Sequence, residues 1–568
     1  MTESEAFEPR PTRQRACPSH QLTGLEPVLA RVLAARGVVR DEQRELALSR
    51  LSPISQLGGV VEAAALIEAH RTGRILVVGD FDADGATSTA LVLRCLRDFG
   101  FADTDFLVPN RFEFGYGLSP ELVAVAVRRE PSLIITVDNG ISSVAGVAAA
   151  RDAGIDVLVT DHHLPPESLP EANVIVNPNL VDDRYPSKAL AGVGVAFAVM
   201  SALARALGEP HTRVPARYLD LVALGTVADV VPLDQNNRIL VSQGLSRISS
   251  RQCCAGISAL LEVAGRDKQD LTANDLGFAV APRLNAAGRL EDMSVGIRCL
   301  LTDDAAEARE LAESLQSINA ERREIEAVMQ EEALEEVSKL DVNAPAPCVV
   351  VHRASWHQGV VGLVASRLKE RLNRPVFAFA TESENRLKGS GRSIPGVHLR
   401  EVLAEVDRVH PGLLVKFGGH AMAAGLTIAS DSLDDFDTAV VDAMHVLYDD
   451  YRFDPVWDVD GELEHDALRL DFAEQLDALG PWGRQFQEPE FEGRLKVREG
   501  RIVGERHLKF QFDANGECID GIAFGQVRMP LPSPGDEVNA VYRLDINEWR
   551  SRRQLQLVIE QWSTIASC

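Results

Sequence analysis

Four short stretches carry acidic and histidine side chains at spacings suited to metal chemistry. They are Asp80, Asp82 and Asp84 in GDFDADG, Asp138 in VDNG, Asp161, His162 and His163 in TDHH, and Asp229 in VADVVPL. Carboxylates brought together repel one another unless cations lie between them. Oxygen ligands joined by one or two imidazoles suit Mn²⁺ or Mg²⁺, and two ions bridged by a carboxylate can hydrolyse a phosphoester. Each stretch also has a plainer reading. The three aspartates can be a solvated turn or the cap of a helix opening at Gly85, and Asn-Gly after Asp138 is an ordinary turn signal. Two histidines beside an aspartate at a strand end fit that plainer view less well. Asp229 alone draws no notice. All four occur in order and each follows an apolar run, which points to one site.

Such convergence needs a scaffold. From about residue 46 to 240, short Val/Ile/Leu runs alternate with Ala-rich helical stretches, the pattern of a parallel sheet covered on both faces. RILVVGD, SLIITVD, DVLVTD and VIVNP are predicted strands. GATSTALVLRCLRDFG and SVAGVAAARDAG are predicted helices, the second capped by Gly154. Ligands of open parallel sheets bind outside the carboxyl ends of the strands, where distant segments meet.

Further along, Leu311, Leu315, Ile318, Ile325 and Met329 recur at helical steps, predicting one helix of about 35 residues, on the order of 50 Å long. It can hold two domains across a cleft; clean heptads for a coiled-coil dimer are not sustained. Residues 346–447 read as α/β again. In FGGHAMAAG, Gly418 and Gly419 would let backbone approach a phosphate, with His420 beside them and a helix opening behind. KGSGRS is expected to be a flexible loop offering Lys388, Ser390, Arg392 and Ser393 to a phosphate, or simply an exposed turn. From about residue 454 the pattern alternates, with Tyr542, Leu544 and Ile546, then Leu555, Leu557 and Ile559, on single faces. A small barrel with Arg506, His507, Lys509, Trp549, Arg550, Arg552 and Arg553 around it suggests an OB-fold that binds single strands. The plainer alternative is a structural barrel with Trp549 in its core.

At 568 residues the chain exceeds one core, and 45% apolar with 25% charged residues is ordinary for a globular protein. No segment is apolar for long enough to span a membrane, and the polar start lacks a secretory signal, so a cytoplasmic protein is expected. Eight cysteines without C-x-x-C argue for reduced thiols rather than disulfides or structural zinc. A net charge of −26 argues against a polyanionic partner, but much of the acid lies in EEALEEVSKLD and DSLDDFD, which read as solvated helix faces.

GDFDADG, VDNG, TDHH and VADVVPL resemble the four successive motifs of the DHH phosphoesterase superfamily. APRLNAAGRLEDMS, WHQGVVGLVASRL, KGSGRS and FGGHAMAAG resemble, in order, features of its RecJ exonuclease family, over nearly all of the chain after about residue 45. The resemblance implies a multidomain α/β fold: an N-terminal segment (1–44), a parallel-sheet DHH catalytic domain (45–240), a helical connector with PRLNAAGR and the long helix (241–344), a DHHA1 substrate-binding domain (345–450) and a C-terminal OB-fold barrel (454–568).

It implies further that Asp82 and Asp138 hold one ion and that Asp84, Asp138, His162 and Asp229 hold a second, Asp138 bridging. His163 would lie nearer the scissile phosphate, and Asp80 and Asp161 would complete the ligands or orient them. Val78 stands where some members of the superfamily have a histidine, which implies a more weakly held first ion. Arg111, Arg283, Asn285 and Arg289 would hold the strand behind the scissile bond. His357, Ser390, Arg392, Gly418, Gly419 and His420 would contact DNA from the second α/β domain, with Arg392 and Ser390 at the 5′ end.

The implied activity is 5′-to-3′ hydrolysis of single-stranded DNA to 5′-mononucleotides with two Mn²⁺ or Mg²⁺ ions, in recombination and repair. The implied partners are single-stranded DNA, a single-strand-binding protein and a repair helicase, for a monomer away from the membrane. A small-substrate DHH phosphoesterase predicts neither barrel nor PRLNAAGR. A noncatalytic scaffold predicts gaps among the acids, and the sequence has none.

Overall fold

Runs of Val, Ile and Leu without a polar face can be buried on both sides only if helices cover them. In the computed structural model these runs form one sheet: β1 (Ile75–Gly79), β2 (Thr104–Leu107), β3 (Leu133–Val137), β4 (Asp156–Thr160) and β5 (Val174–Val176). The structure describes residues 9–110, 114, 116–266, 271–338, 346–449, 451, 453, 456–504, 506–514, 516–527, 531–549 and 552–565. The strand order is β2-β1-β3-β4-β5 and every pairing is parallel. That order reverses between β1 and β3, and the crevice beyond their carboxyl ends is where such sheets bind ligands.

Helices α1 (Ala83–Asp98), α2 (Val144–Asp152), α3 (Gly192–Leu207), α4 (Leu219–Ala228) and α5 (Gln235–Ser249) follow. α1 has the sheet on one side and α3 and α4 on another, so it is buried from Ala83 to Leu96 and shows no polar face. α6 (Ala281–Leu290) carries PRLNAAGR. α7 (Ala305–Val337) is the long helix, 33 residues and so about 50 Å. Ile257, Leu260, Leu284, Leu300 and Leu315, between α5 and the middle of α7, share one core with Ile75, Val77, Leu91 and Val222 of the sheet and its helices.

The chain forms two compact units, Thr12–Ser317 with Trp457–Cys568, and Ile318–Val456 with Met1–Pro11. The second contains β6 (Val349–His352), α8 (Val361–Leu372), β7 (Val376–Ser383), β8 (Arg386–Arg392), β9 (Leu414–Gly419) and β10 (Ala423–Ala429). Its sheet runs β9-β10-β8-β7-β6, with only β6 and β7 parallel.

Two expectations are corrected here. KGSGRS is not a flexible loop: Lys388, Ser390 and Arg392 lie on β8, which is hydrogen-bonded on both edges. Its glycines make room for rings, since a Cβ on Gly389 would stand 2.4 Å from Phe379 and one on Gly391 2.8 Å from Phe377. Ser393 turns inward and donates to the Val397 carbonyl, 2.8 Å away. No helix opens behind Gly418, Gly419 and His420 either. The chain returns as β10 in a hairpin, because Ala424, Leu426 and Ile428 of AMAAGLTIA alternate into the core at strand period.

The C-terminal alternation forms a closed barrel, β11 (Phe491–Val503), β12 (His507–Ala514), β13 (Glu517–Ala523), β14 (Glu537–Trp549) and β15 (Arg552–Thr564), in the order β11-β12-β13-β15-β14. Tyr542, Leu544, Leu557 and Ile559 are buried in it, and Ile546 and Leu555 pack against it. Leu29, Val32 and Leu33 of the helix Pro27–Ala34 share this core with Leu233 and Val241, so the barrel is fused to the N-terminal segment and to α5. Some expected strand-binding cations are paired: Lys509 with Asp520 at 2.8 Å and Arg553 with Glu474 at 3.0 Å. Arg111, Arg550 and the side chain of Trp549 lie outside the described residues. No described helix is long and apolar enough to cross a membrane.

Candidate active site

α1 starts where Asp82 caps it, one carboxylate oxygen accepting from the amides of Asp84 (2.9 Å) and Gly85 (3.0 Å). The cap reading and the site reading are therefore compatible, because the cap occupies one oxygen. Asp84 is buried, and its two oxygens accept from the amides of Gly192 (2.7 Å) and Val193 (2.9 Å) in the first turn of α3. These amides fix Asp84 and were missed from sequence; the signal was GVGV at the start of an apolar helix.

Asp138 follows β3 at φ 61, a left-handed conformation that few residues other than glycine adopt. The turn is pinned by Asn139, whose amide donates to the carbonyls of Val78 (3.0 Å) and Val137 (2.9 Å). Asp161 is the hub after β4. One of its oxygens accepts from the amides of His162 (2.7 Å) and His163 (3.1 Å) and lies 2.7 Å from His163 Nδ1; the other accepts from Ile141 (2.9 Å). Asn177 and Asn179, also missed, hold the carbonyls of His163 (2.9 Å) and His162 (2.6 Å). Asp229 ends α4 rather than a strand.

These residues converge. His162 Nε2 lies 3.2 Å from Asp138 Oδ1 and 3.4 Å from Asp229 Oδ2. Three sets, Asp80 with Asp82 and Asp138, Asp84 with His162 and Asp229, and Asp138 with His162 and His163, each offer one ligand atom per residue within 4.8 Å of the others. Asp138 Oδ1 and Asp229 Oδ2 are buried and accept no hydrogen bond among the described residues. Buried acceptors without donors, facing an imidazole and further carboxylates, fit divalent cations.

Electrostatics agree. Burial, then the Asp82 charge, pushes Asp84 up to about 7. Burial and the neighbouring carboxylates, Asp84 first, raise Asp138 and Asp229 well above the carboxylate range. A crowd that resists ionising on its own ionises readily around a dication. Burial opposes the charge on His163, but its hydrogen bond and ion pair with Asp161 outweigh that and raise it to about 9. The Tyr116 hydroxyl, a further residue missed from sequence, stands 3.3 Å from the His163 ring and from the Asp138 carbonyl.

Of the expected strand contacts, Arg283, Asn285 and Arg289 lie on α6. Arg283 also donates to the Ala279 carbonyl. Asn285 Oδ1 accepts from the Ala83 amide at 2.8 Å, and a Cβ on Gly288 would stand 1.7 Å from the Phe81 carbonyl oxygen. Asn285 thus docks α6 on the DFDAD loop.

In the second unit, Arg392 Nη1 donates to Ser390 Oγ at 3.0 Å. A Cβ on Gly362, in the first turn of α8, would stand 2.8 Å from Arg392 and 3.0 Å from Ser390. His357 precedes α8, its Nδ1 accepting from the Gly359 amide at 3.1 Å and its carbonyl from Val360 (3.0 Å) and Val361 (3.2 Å). Cation, hydroxyl and helix N-terminus thus share one place, a set suited to a phosphate. Gly418 and Gly419 end β9, and the His420 amide donates to the Ala423 carbonyl at 2.8 Å across the hairpin.

Family models match in three places: the DHH family, N-terminal domain, over residues 74–226, the DHHA1 domain over 346–445 and the RecJ OB domain over 459–561. The single-stranded-DNA-specific exonuclease RecJ of Dickeya dadantii (strain 3937) is 51% identical over 570 residues, covering 97% of this chain and 98% of that protein. The protein of the same name from Escherichia coli (strain K12) is 51% identical over 552 residues, covering 94% and 96%. Among solved structures, RecJ in complex with Mn²⁺ from Thermus thermophilus has a TM-score of 0.79 at 34% identity, covering 95% of this chain and 76% of that one. The corresponding Mg²⁺ complex has a TM-score of 0.74 at 32% identity, covering 95% and 75%.

Proposed function

The chain belongs to the RecJ family of single-stranded-DNA-specific exonucleases, and from that premise we propose that it removes 5′-mononucleotides from the 5′ end of single-stranded DNA with two Mn²⁺ or Mg²⁺ ions. It is a metal-dependent single-strand exonuclease, and the observation that carries this reading is the convergence of Asp138, His162 and Asp229 at the β1/β3 crevice.

Asp82 and Asp138 would hold one ion, and Asp84, Asp138, His162 and Asp229 the other. When bound, the ions supply charge that activates a water and neutralises the scissile phosphate. The chain's own residues do the rest. The α3 amides hold Asp84 in place, Asp161 orients both histidines, and His163, paired with Asp161, would offer a donor to a phosphate oxygen. Arg283 and Arg289 would neutralise the strand backbone, with Asn285 fixing the helix that carries them. The barrel and α6 both favour a polymeric substrate over a small phosphoester. By resemblance to the family, the reading extends to a single-strand-binding protein and a repair helicase as partners, a monomeric state, a role in recombination and repair, and a cytoplasmic location.

The ions cannot set polarity, because both directions along a strand present similar phosphodiesters. A terminal phosphate carries more charge and more free oxygens than an internal one, and Arg392, Ser390, His357 and the α8 N-terminus suit it. Gly418, Gly419 and His420 would add contacts from the β9–β10 hairpin. End-labelled single- and double-stranded DNA with Mn²⁺ or Mg²⁺ tests the activity. Single strands are expected to be degraded, from the 5′ end, and faster with a 5′-phosphate than with a 5′-hydroxyl. Arg392→Ala should cut that preference about tenfold, the scale of one charge-assisted hydrogen bond, with a smaller loss of strand affinity. An unchanged rate ratio under single-turnover conditions, or digestion from the 3′ end, refutes this assignment of polarity.

A further inference from the structure

The turn that carries Asp229 is strained. Val230 follows it at φ 57, a conformation that β-branched residues rarely adopt. The Val230 side chain is 57% exposed, so its own packing does not hold it there. Its amide donates to the Val227 carbonyl at 3.2 Å, and a second restraint comes from 254 positions further along the chain, where Arg484 Nη1 donates to the Val230 carbonyl at 3.1 Å. The Arg484 carbonyl accepts from the Leu233 amide at 2.8 Å, so one residue clamps both ends of the segment 230–233.

Arg484 is itself held in a rigid turn. Gly483 and Phe486 exchange amide-to-carbonyl hydrogen bonds at 2.9 and 3.0 Å, and the rings of Trp482 and Phe486 stack with centroids 5.1 Å apart. The Arg238 guanidinium, from α5, lies 4.0 Å over the Phe486 ring. A Cβ on Gly483 would stand 2.7 Å from Leu233 Cδ1, so the turn is fitted closely against the segment it clamps.

We propose that Arg484 is a positioning residue for the metal centre: by holding the Val230 carbonyl it keeps the strained turn closed and Asp229 aimed at His162. The segment leading into the barrel is then part of the metal site. Loss of a group that orients a metal ligand typically weakens the metal by about 10- to 100-fold. The inference rests on the reading of Asp229 as a ligand, and the experiment separates the two.

Mn²⁺ binding to the DNA-free protein, measured by isothermal titration calorimetry, reports ion number and affinity without turnover. Asp229→Ala should remove tight binding of one ion; wild-type binding in that variant refutes the ligand reading itself. With that control as expected, Arg484→Ala should weaken the same ion about tenfold or more, with single-strand affinity and melting temperature close to wild type. Arg484→Lys, which still reaches the carbonyl, and Val230→Gly in the Arg484→Ala background, which removes the strain, should each recover affinity. Unchanged Mn²⁺ affinity in Arg484→Ala overturns the proposal, as does weakened strand binding with Mn²⁺ affinity intact, which would make Arg484 a DNA contact. Absence of recovery in both second variants overturns it too. If Arg484→Ala does not fold, Arg484→Gln against Arg484→Lys carries the same comparison.

Discussion

Asp138→Ala is expected to slow strand cleavage by about a thousandfold or more while most single-strand affinity survives. Two of the three convergent ligand sets contain Asp138, and in the proposed arrangement it would bridge both ions, so its loss would take a ligand from each. A bound metal supplies several kcal/mol of transition-state stabilisation, and each loss of about 1.4 kcal/mol is a tenfold loss of rate. Strand affinity should persist because, in the proposed reading, it would come from cations and hydrogen-bond donors away from the metal ligands, on α6 and β8. The measurement is single-turnover digestion of 5′-labelled DNA beside equilibrium binding to the same strand. Near-normal cleavage by a folded Asp138→Ala protein would remove Asp138 from the site.

How much of this site could be read from sequence depended on the distance between cause and effect along the chain. Asp80, Asp82, Asp138, Asp161 and His162 are legible because each stands within three residues of the end of a strand rich in buried Val, Ile and Leu, and parallel strands deliver their carboxyl ends to one edge. β2 was not legible. It is four residues at the sheet edge, two of them polar and three only partly buried, so neither alternation nor an apolar run marks it. Asp229 also reads as a site residue, but it follows an apolar stretch for a different reason, standing just past the last residue of the helix α4.

β8 reads as a loop because glycine and serine signal turns when only neighbours in sequence are considered. Gly389 and Gly391 answer instead to Phe379 and Phe377 on the next strand, a contact fixed by sheet register. The sequence after His420 reads as a helix start because alanine suits both structures, and burial on one face of a sheet decides for the hairpin. The N-terminal segment gave no sign of its place either. The core it enters is completed by Phe491, Tyr542 and Ile559, more than 450 positions away.

The same long-range logic makes Gly192 as critical as several ligands, although it carries no side chain. Its amide donates to Asp84, and its Cα faces Asp138 so closely that an added Cβ would stand 2.6 Å from Asp138 Cβ and 2.7 Å from Oδ1. Neither partner can yield easily. Asp138 is buried at a strained φ, and α3 is packed against α1 along a fully buried seam. Gly192→Ala should therefore displace the Asp138 carboxylate or the first turn of α3 by several tenths of an ångström or more. A misplacement of that order can cost about a hundredfold in rate, whereas overpacking costs about 1–3 kcal/mol of stability. Gly194→Ala, one residue further than the Asp84-bound amide of Val193, provides the control, because its tightest contact would be the end of the Leu190 side chain at 3.2 Å, which can rotate away, with the rest of Leu190 at ordinary contact distance. Turnover and Mn²⁺ affinity are expected to fall together in Gly192→Ala and to stay near wild type in Gly194→Ala. Equal activity in the two variants would mean that Asp138 moves freely, and that the tight seat beneath it is not what fixes the geometry of the metal centre.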